Sequence, residues 1–227
     1  MNTAVEQLQQ VFEPAGDTAR AQAMSSYMRG QFDFVGLASP RRRALQAPVW
    51  KAFPDPTSDE IVALVDGCWE LPSREYQYAA LDYLSRHAWR LDTSAIVDLE
   101  RWIVTTSWWD TVDVLCRHGA GVLVRANLAL GPVMDRWLRS GNVWLIRSAI
   151  LHQERWGTAM DVDWVFAACA LQGEHHDFFV RKAIGWVLRT YAHCGPTEAD
   201  EVRSFIGDHA DRLSGLSKRE AMMRVLH

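Results

Sequence analysis

Apolar residues recur at helical spacing along the whole chain, and no segment alternates apolar and polar residues as a strand would. Proline- and glycine-containing breaks divide the sequence into segments of roughly ten to eighteen residues, a length typical of helices in globular proteins. The breaks lie at residues 14–16, 39–40, 53–56, 71–73, 131–132, 140–142, 172–173 and 195–196. The pattern predicts an all-α protein.

Short similar strings recur along the chain, as in Ile-Arg-Ser-Ala-Ile at 146–150, Val-Arg-Lys-Ala-Ile at 180–184 and Lys-Arg-Glu-Ala-Met at 218–222. Their alignment places five residues at one repeat position, at intervals of 36, 34, 34 and 38 residues: Gln77, Asp113, Arg147, Arg181 and Arg219. This period is typical of paired-helix solenoids, whose stacked pairs form a concave surface. The repeats predict a single solenoid domain over residues 1–227. Asp113 is the only acid in the aligned column.

The segment 107–119 predicts a helix that contains this acid. Ser107 is a candidate N-cap, and Asp110 stands where the acidic half of a capping box is expected. The apolar positions repeat at helical spacing and predict a buried stripe, which consists of Val112, Leu115, Cys116 and Gly119.

Trp109 and Asp113 share one face of this predicted helix. Asp113 lies about 200° around the helix from Leu115 at about 100° per residue, so we expect both side chains to face outward. An exposed indole beside a carboxylate indicates a substrate or interface contact, because folding normally buries tryptophan. The alternative is that Trp109 packs under a neighbouring helix and Asp113 forms an ordinary surface salt bridge.

A second cluster lies on the segment 178–191. Its predicted buried stripe consists of Val180, Ile184, Val187 and Tyr191. Trp186 points to the opposite side, with Lys182 four residues before it and Arg189 three residues after it. Two cations around an indole suit a sugar-phosphate backbone. Alternatively, Trp186 packs against the next repeat.

The net charge and the positions of the cysteines and histidines limit the classes of function that this chain can have. The net charge of −4 argues against a protein that coats nucleic acid non-specifically, although a local basic face remains compatible with it. The four cysteines lie far apart in apolar runs, which indicates reduced core thiols in a cytoplasmic protein: Cys68, Cys116, Cys169 and Cys194. No export signal or membrane-spanning run is recognised. We expect no metal, because His175 and His176 have no further ligands at suitable spacing.

Several of these strings together resemble the AlkD-type DNA alkylation repair enzymes, which are alkylpurine-DNA glycosylases built from HEAT-like repeats. The most specific strings are Ser-Trp-Trp-Asp-x-x-Asp at 107–113 and Arg-Lys-Ala-Ile-Gly-Trp at 181–186. Further similarity lies at 27–29, 40–43, 144–149 and 216–221. The resemblance therefore extends over most of the chain.

This resemblance implies a right-handed superhelix of helix pairs that clasps duplex DNA in its concave groove. It implies that Asp113 is the catalytic carboxylate, that Trp109 and Trp186 hold the deoxyribose of the lesion, and that Arg147 grips a nearby phosphate. Further DNA contacts are expected from Arg189, Lys182, Tyr27 and Arg43. The acidic net charge departs from what a DNA-binding family suggests.

The implied reaction is hydrolysis of the N-glycosidic bond of cationic N3- or N7-alkylated purines, such as 3-methyladenine and 7-methylguanine, in duplex DNA without base flipping. Asp113 would stabilise the oxocarbenium-like transition state, and we hypothesise that Arg147 keeps Asp113 ionised. No cofactor is expected. We expect a bacterial cytoplasmic or nucleoid protein that acts as a monomer.

Three alternatives remain. The chain could be a glycosylase specialised for bulky alkyl adducts, or a non-catalytic repeat module that binds distorted or branched DNA. It could also be a protein–protein scaffold, which is a common use of helical solenoids. Salt-dependent DNA binding separates the scaffold from the other two.

Overall fold

The computed structural model describes residues 3–223, and within this range every regular element is helical. The all-α prediction is therefore confirmed. The chain divides into two compact units, Met1–Asp98 and Leu99–His227. The expectation that residues 1–227 form one domain stays a prediction. The expectation of a concave groove also stays a prediction.

Among the described residues of the first unit, 3–98, five α-helices precede the helix in which the division falls. They are α1 (Thr3–Phe12), α2 (Thr18–Tyr27), α3 (Ser39–Lys51), α4 (Ser58–Trp69) and α5 (Arg74–His87), followed by α6 (Ile96–Val104). Helix α1 packs against α3 and α4, and α5 packs against α3 and α4. The start of α4 is a capping box, in which Thr57 and Glu60 satisfy each other's backbone N–H groups.

Up to residue 223, where the described part of the chain ends, the second unit continues after α6 with eight further α-helices. They are α7 (Trp109–Val114), α8 (Gly121–Ala126), α9 (Gly131–Leu138), α10 (Val143–Leu151), α11 (Val162–Leu171), α12 (Phe178–Ala192), α13 (Pro196–Asp208) and α14 (Gly215–Ala221). Helix α10 packs against α7, α12 packs against α10, and α14 packs against α12. This succession brings residues about 34 positions apart in sequence to neighbouring helices, as the repeat pattern predicts.

Helices α7 and α8 are joined by a π-helical segment, Leu115–Ala120, so that the helical backbone continues from residue 109 to residue 126. The stripe predicted for this helix is confirmed, because Val112, Leu115, Cys116 and Gly119 are all buried. Wide π-helical turns inside α-helices are frequent at functional sites.

The N-cap predicted for α7 is wrong. The helix begins at Trp109, and its N-cap is Trp108, which makes no capping hydrogen bond through its side chain. The Ser107 hydroxyl instead donates to the Ile103 carbonyl at 2.6 Å, in the last turn of α6. Ser107 therefore satisfies the end of one helix rather than the beginning of the next. Asp110 still lies in the first turn of α7, where a negative charge interacts favourably with the helix dipole.

All four cysteines are free thiols, and three of them are buried; Cys194 is partly exposed. Burial raises the pKa of the Cys68 thiol to about 12, so this thiol stays protonated at neutral pH. Between residues 3 and 223, no helix combines the length and the apolar character needed to cross a bilayer.

Candidate active site

A cleft of about 390 Å³ in the second unit brings together most of the site residues predicted from the sequence. Aromatic rings and charged groups line it in similar numbers: Trp109, Phe178, Phe179 and Trp186, with Asp113, Arg147, Lys182, Arg189 and Glu220. Helices α7, α10, α12 and α14 contribute these side chains. In the described range, 3–223, no three His, Cys, Asp or Glu side chains are grouped to hold a metal ion.

Asp113 and Arg147, which both line the cleft, form a bidentate ion pair. The Arg147 Nε donates to Asp113 Oδ1 at 2.7 Å, and the second terminal nitrogen donates to Oδ2 at 2.9 Å. Asp113 is only 9% exposed and Arg147 only 4%. The prediction that Asp113 faces outward is wrong, because the neighbouring helix α10 covers it with the Arg147 guanidinium. The pair is not a surface salt bridge either.

The backbone at the start of α12 completes the environment of Arg147. The remaining terminal nitrogen of Arg147 donates to the Phe179 carbonyl at 2.6 Å. The Phe179 ring packs against Trp108 and Trp144, with ring centroids 5.2 and 4.8 Å apart. This aromatic cluster fixes the carbonyl that orients the guanidinium. The guanidinium in turn fixes both oxygens of Asp113, and a fork of this kind is the geometry in which arginine binds a carboxylate most specifically.

The two tryptophans of the predicted site both line the cleft and are partly exposed. Trp109 lies one turn before Asp113 on α7, as the helical spacing predicts. The Trp186 ring has the guanidinium carbon of Arg117 at 4.8 Å from its centroid and that of Arg147 at 5.8 Å. Trp186 is therefore held by cations and is neither fully exposed nor fully packed under a neighbouring repeat.

Glu220 also lines the cleft, although the sequence does not identify it. It accepts from Lys182 Nζ at 2.8 Å and from Arg189 at 3.0 Å, and its own side chain is 12% exposed. A Cβ on Gly185 would collide with Glu220 Cβ, so glycine at this position is what allows α14 to approach α12 so closely. The only signal in the sequence is the last repeat string, which contains Glu220 next to the aligned Arg219.

The hydrogen bond from Lys182 is the main reason why the pKa of Glu220 is lowered, and the hydrogen bond from Arg189 lowers this pKa further. A depressed carboxyl pKa contributes stability above the ordinary glutamate value of about 4.5, and that stability is lost as the pH falls through the lowered value. We expect Glu220→Gln to lower the free energy of unfolding by about 1–2 kcal/mol at neutral pH.

Urea unfolding at several pH values measures this effect. The difference between the wild type and Glu220→Gln should shrink as the pH falls below about 4.5, where the wild type loses the same charge. Glu174→Gln is the matched control, because Glu174 is an exposed partner of Arg212 at 3.9 Å and should contribute little. A difference that does not depend on pH would contradict the proposed ion pairs.

Two predicted DNA contacts, Tyr27 and Arg43, lie in the first unit. Tyr27 is 73% exposed at the end of α2, beside an apolar pocket that Met24, Phe34 and Tyr78 help to line. Arg43 lies on α3 with its Nε 3.5 Å from Asp82. Both side chains reach the surface of their own unit.

The second unit thus presents a buried carboxylate held by an arginine fork, in a cleft with two tryptophans and two further cations. The helical fold and this cleft together define a class of protein: a helical-repeat protein with a buried carboxylate in a cleft. The sequence pattern of the DNA alkylation repair enzymes matches residues 8–225, so the chain belongs to that family.

Structural comparison agrees with this family. A solved structure described as a predicted DNA alkylation repair enzyme from Enterococcus faecalis superposes with a TM-score of 0.83 at 26% sequence identity. The match covers 92% of this chain and 96% of that chain. No curated protein matches the sequence.

Proposed function

We propose that this protein is a monofunctional DNA glycosylase that hydrolyses the N-glycosidic bond of cationic N3- or N7-alkylated purines in duplex DNA. The observation that supports this most directly is the position of Asp113. The Arg147 fork holds its carboxylate in place, and the carboxylate lines the same cleft as Trp109 and Trp186.

The chemistry of the lesion explains why one carboxylate suffices. A purine alkylated at N3 or N7 already carries a positive charge, so it leaves without being protonated first. As the bond breaks, positive charge develops on the deoxyribose, as in other glycoside hydrolyses. A fixed carboxylate stabilises that charge, and the faces of Trp109 and Trp186 add attraction through their quadrupoles. We propose that Asp113 also orients the attacking water.

The charges of the cleft suit a DNA backbone. Its three cations, Arg147, Lys182 and Arg189, outnumber its two carboxylates, so the lining carries one net positive charge. This local excess matches one phosphodiester, although the whole chain carries −4. Lys182 and Arg189 are the proposed phosphate contacts next to Trp186. Arg147 directs three hydrogen bonds to Asp113 and Phe179, so we propose that any phosphate contact it makes adds to that network.

We propose that the enzyme works from the backbone side while the lesion stays stacked in the duplex. Most glycosylases instead extrude the target base into a pocket. Without base extrusion, the reaction depends on the intrinsic lability of a cationic lesion and tolerates a bulky substituent on the base. The protein is proposed to act as a monomer on duplex DNA.

The substrate range tests this mechanism. We expect release of 3-methyladenine and 7-methylguanine from methylated duplex DNA, and little release of uracil or hypoxanthine, because these neutral bases leave poorly without an acid. Matched duplexes that differ only in the lesion should be compared under single-turnover conditions, with the free base quantified. Efficient excision of either neutral base would exclude the backbone-side mechanism.

Binding measurements separate the alternatives. The affinity for duplex DNA should fall steeply with salt concentration, because phosphate contacts release counterions. A protein–protein scaffold would show no such binding. A non-catalytic module for distorted DNA would bind with the same salt dependence but release no base, and a glycosylase for bulky adducts would release only the larger lesions.

A further inference from the structure

Trp186 rests on an arginine that does not itself line the cleft. The guanidinium carbon of Arg117 lies 4.8 Å from the centroid of the Trp186 ring, nearer than the 5.8 Å of Arg147. Arg117 is absent from the residues that line the cleft, whereas Trp186 and Arg147 are among them. Arg117 therefore contacts the indole without being one of the residues that line the cleft.

Arg117 is itself held in place by Glu154. Its Nε donates to Glu154 Oε2 at 2.6 Å, and the two side chains are 20% and 10% exposed. The other carboxylate oxygen of Glu154 accepts from the Thr190 hydroxyl at 3.4 Å. Thr190 lies one helical turn after Trp186 on α12. Glu154 thus links the arginine under the indole to the helix that contains the indole.

The backbone explains how these distant residues meet. Arg117 lies in the π-helical segment Leu115–Ala120, and Glu154 follows the end of α10. A Cβ on Gly121 would collide with the His152 carbonyl, so glycine lets the two backbones approach closely. The Trp156 indole Nε1 donates to the Gly121 carbonyl at 3.1 Å and holds this approach. Glu154 is thereby brought alongside Arg117.

We propose that Arg117 and Glu154 are a positioning pair that sets the orientation of the Trp186 indole in the cleft. The pair touches no substrate. The Arg117 guanidinium lies over the ring, and Glu154 fixes the guanidinium and links it to α12. The orientation follows from the geometry alone, and its effect on the reaction rate rests on the proposed glycosylase function.

Fluorine NMR of protein labelled with fluorotryptophan reports the surroundings of the Trp186 indole. The chain has eleven tryptophans, and the resonance lost in Trp186→Phe identifies the relevant one. Arg117→Leu and Glu154→Gln should both shift or broaden this resonance. Arg125→Leu is the matched control, because Arg125 is exposed on α8 in the same helical run and should leave the resonance in place. Arg117→Lys should restore part of the wild-type position, since it keeps the cation near Glu154.

An unchanged Trp186 resonance in folded Arg117→Leu, with helical content confirmed by circular dichroism, would overturn the proposal. If Arg117→Leu does not fold, Glu154→Gln decides the question, because it keeps the shape of the side chain and removes only the charge. A Trp186 resonance that stays at its wild-type position in folded Glu154→Gln would overturn the proposal equally.

Base release provides a second, separate readout. Arg117→Leu should slow single-turnover release of 7-methylguanine by about three- to thirtyfold in the wild-type background, and by less than about twofold in a Trp186→Ala background. Equal losses in both backgrounds would overturn the positioning role. If the wild-type protein releases no base at all, the proposed function fails, while the NMR comparison still tests the pair.

Discussion

Asp113→Asn is expected to slow the single-turnover release of 7-methylguanine from duplex DNA by about ten- to a thousandfold. Asparagine keeps the shape of the side chain but removes the negative charge that would face the developing sugar cation. The Arg147 guanidinium, 2.7 and 2.9 Å from the two oxygens, would then place an uncompensated positive charge beside the same sugar. Both changes oppose the transition state.

Asp110→Asn is the matched control for this experiment. Asp110 lies on the same helix, α7, but does not line the cleft. Its variant should release base at close to the wild-type rate, and both variants should bind duplex DNA within a few-fold of the wild type. If Asp113→Asn retains the rate of Asp110→Asn, the carboxylate does not stabilise the transition state.

Arg147→Ala is expected to lower the free energy of unfolding by about 3–5 kcal/mol, because it leaves the charge of Asp113 buried without a partner. The Phe179 carbonyl loses its donor in the same variant. Base release should fall as well, since nothing then orients the carboxylate. Urea unfolding followed by circular dichroism measures the stability.

Two comparisons isolate the ion pair. Arg139→Ala removes an exposed arginine and should change the free energy of unfolding by less than about 0.5 kcal/mol. The double variant Asp113→Asn with Arg147→Ala should lose less free energy of unfolding than the two single variants lose in sum. Removing both charges leaves neither one unpaired. Strict additivity of the two losses would contradict a coupled buried pair.

The sequence predicts the helices, and it predicts which residues of successive repeats lie next to each other, because both depend on periodicity. Aligning the strings places Asp113 and Arg147 at the same position of successive repeats, and in the structure these two side chains pair. The same periodicity does not predict burial. A single helix shows which residues share a face, but the helix that covers this face comes from another repeat. Asp113 therefore lies beneath Arg147, although its own helix suggests exposure.

The supporting residues are harder to predict for a related reason. Arg117 pairs with Glu154, and Lys182 with Glu220, across 37 and 38 residues, with no local pattern to mark them. Their contacts depend on close helix approaches that Gly121 and Gly185 allow, and a glycine in a helix does not reveal which backbone will approach it. The Ser107 hydroxyl likewise has two possible helix ends to satisfy, and only the folded chain shows which one it serves.

Release of free base by the wild-type protein tests the proposed glycosylase function most directly. Duplex DNA carrying 3-methyladenine and 7-methylguanine should be incubated with excess enzyme, the released bases identified by mass spectrometry, and DNA binding measured in parallel. A glycosylase of the proposed kind should release both bases and leave abasic sites in the duplex. Binding without release of either base would contradict the glycosylase and would favour a module that recognises DNA without cutting the glycosidic bond.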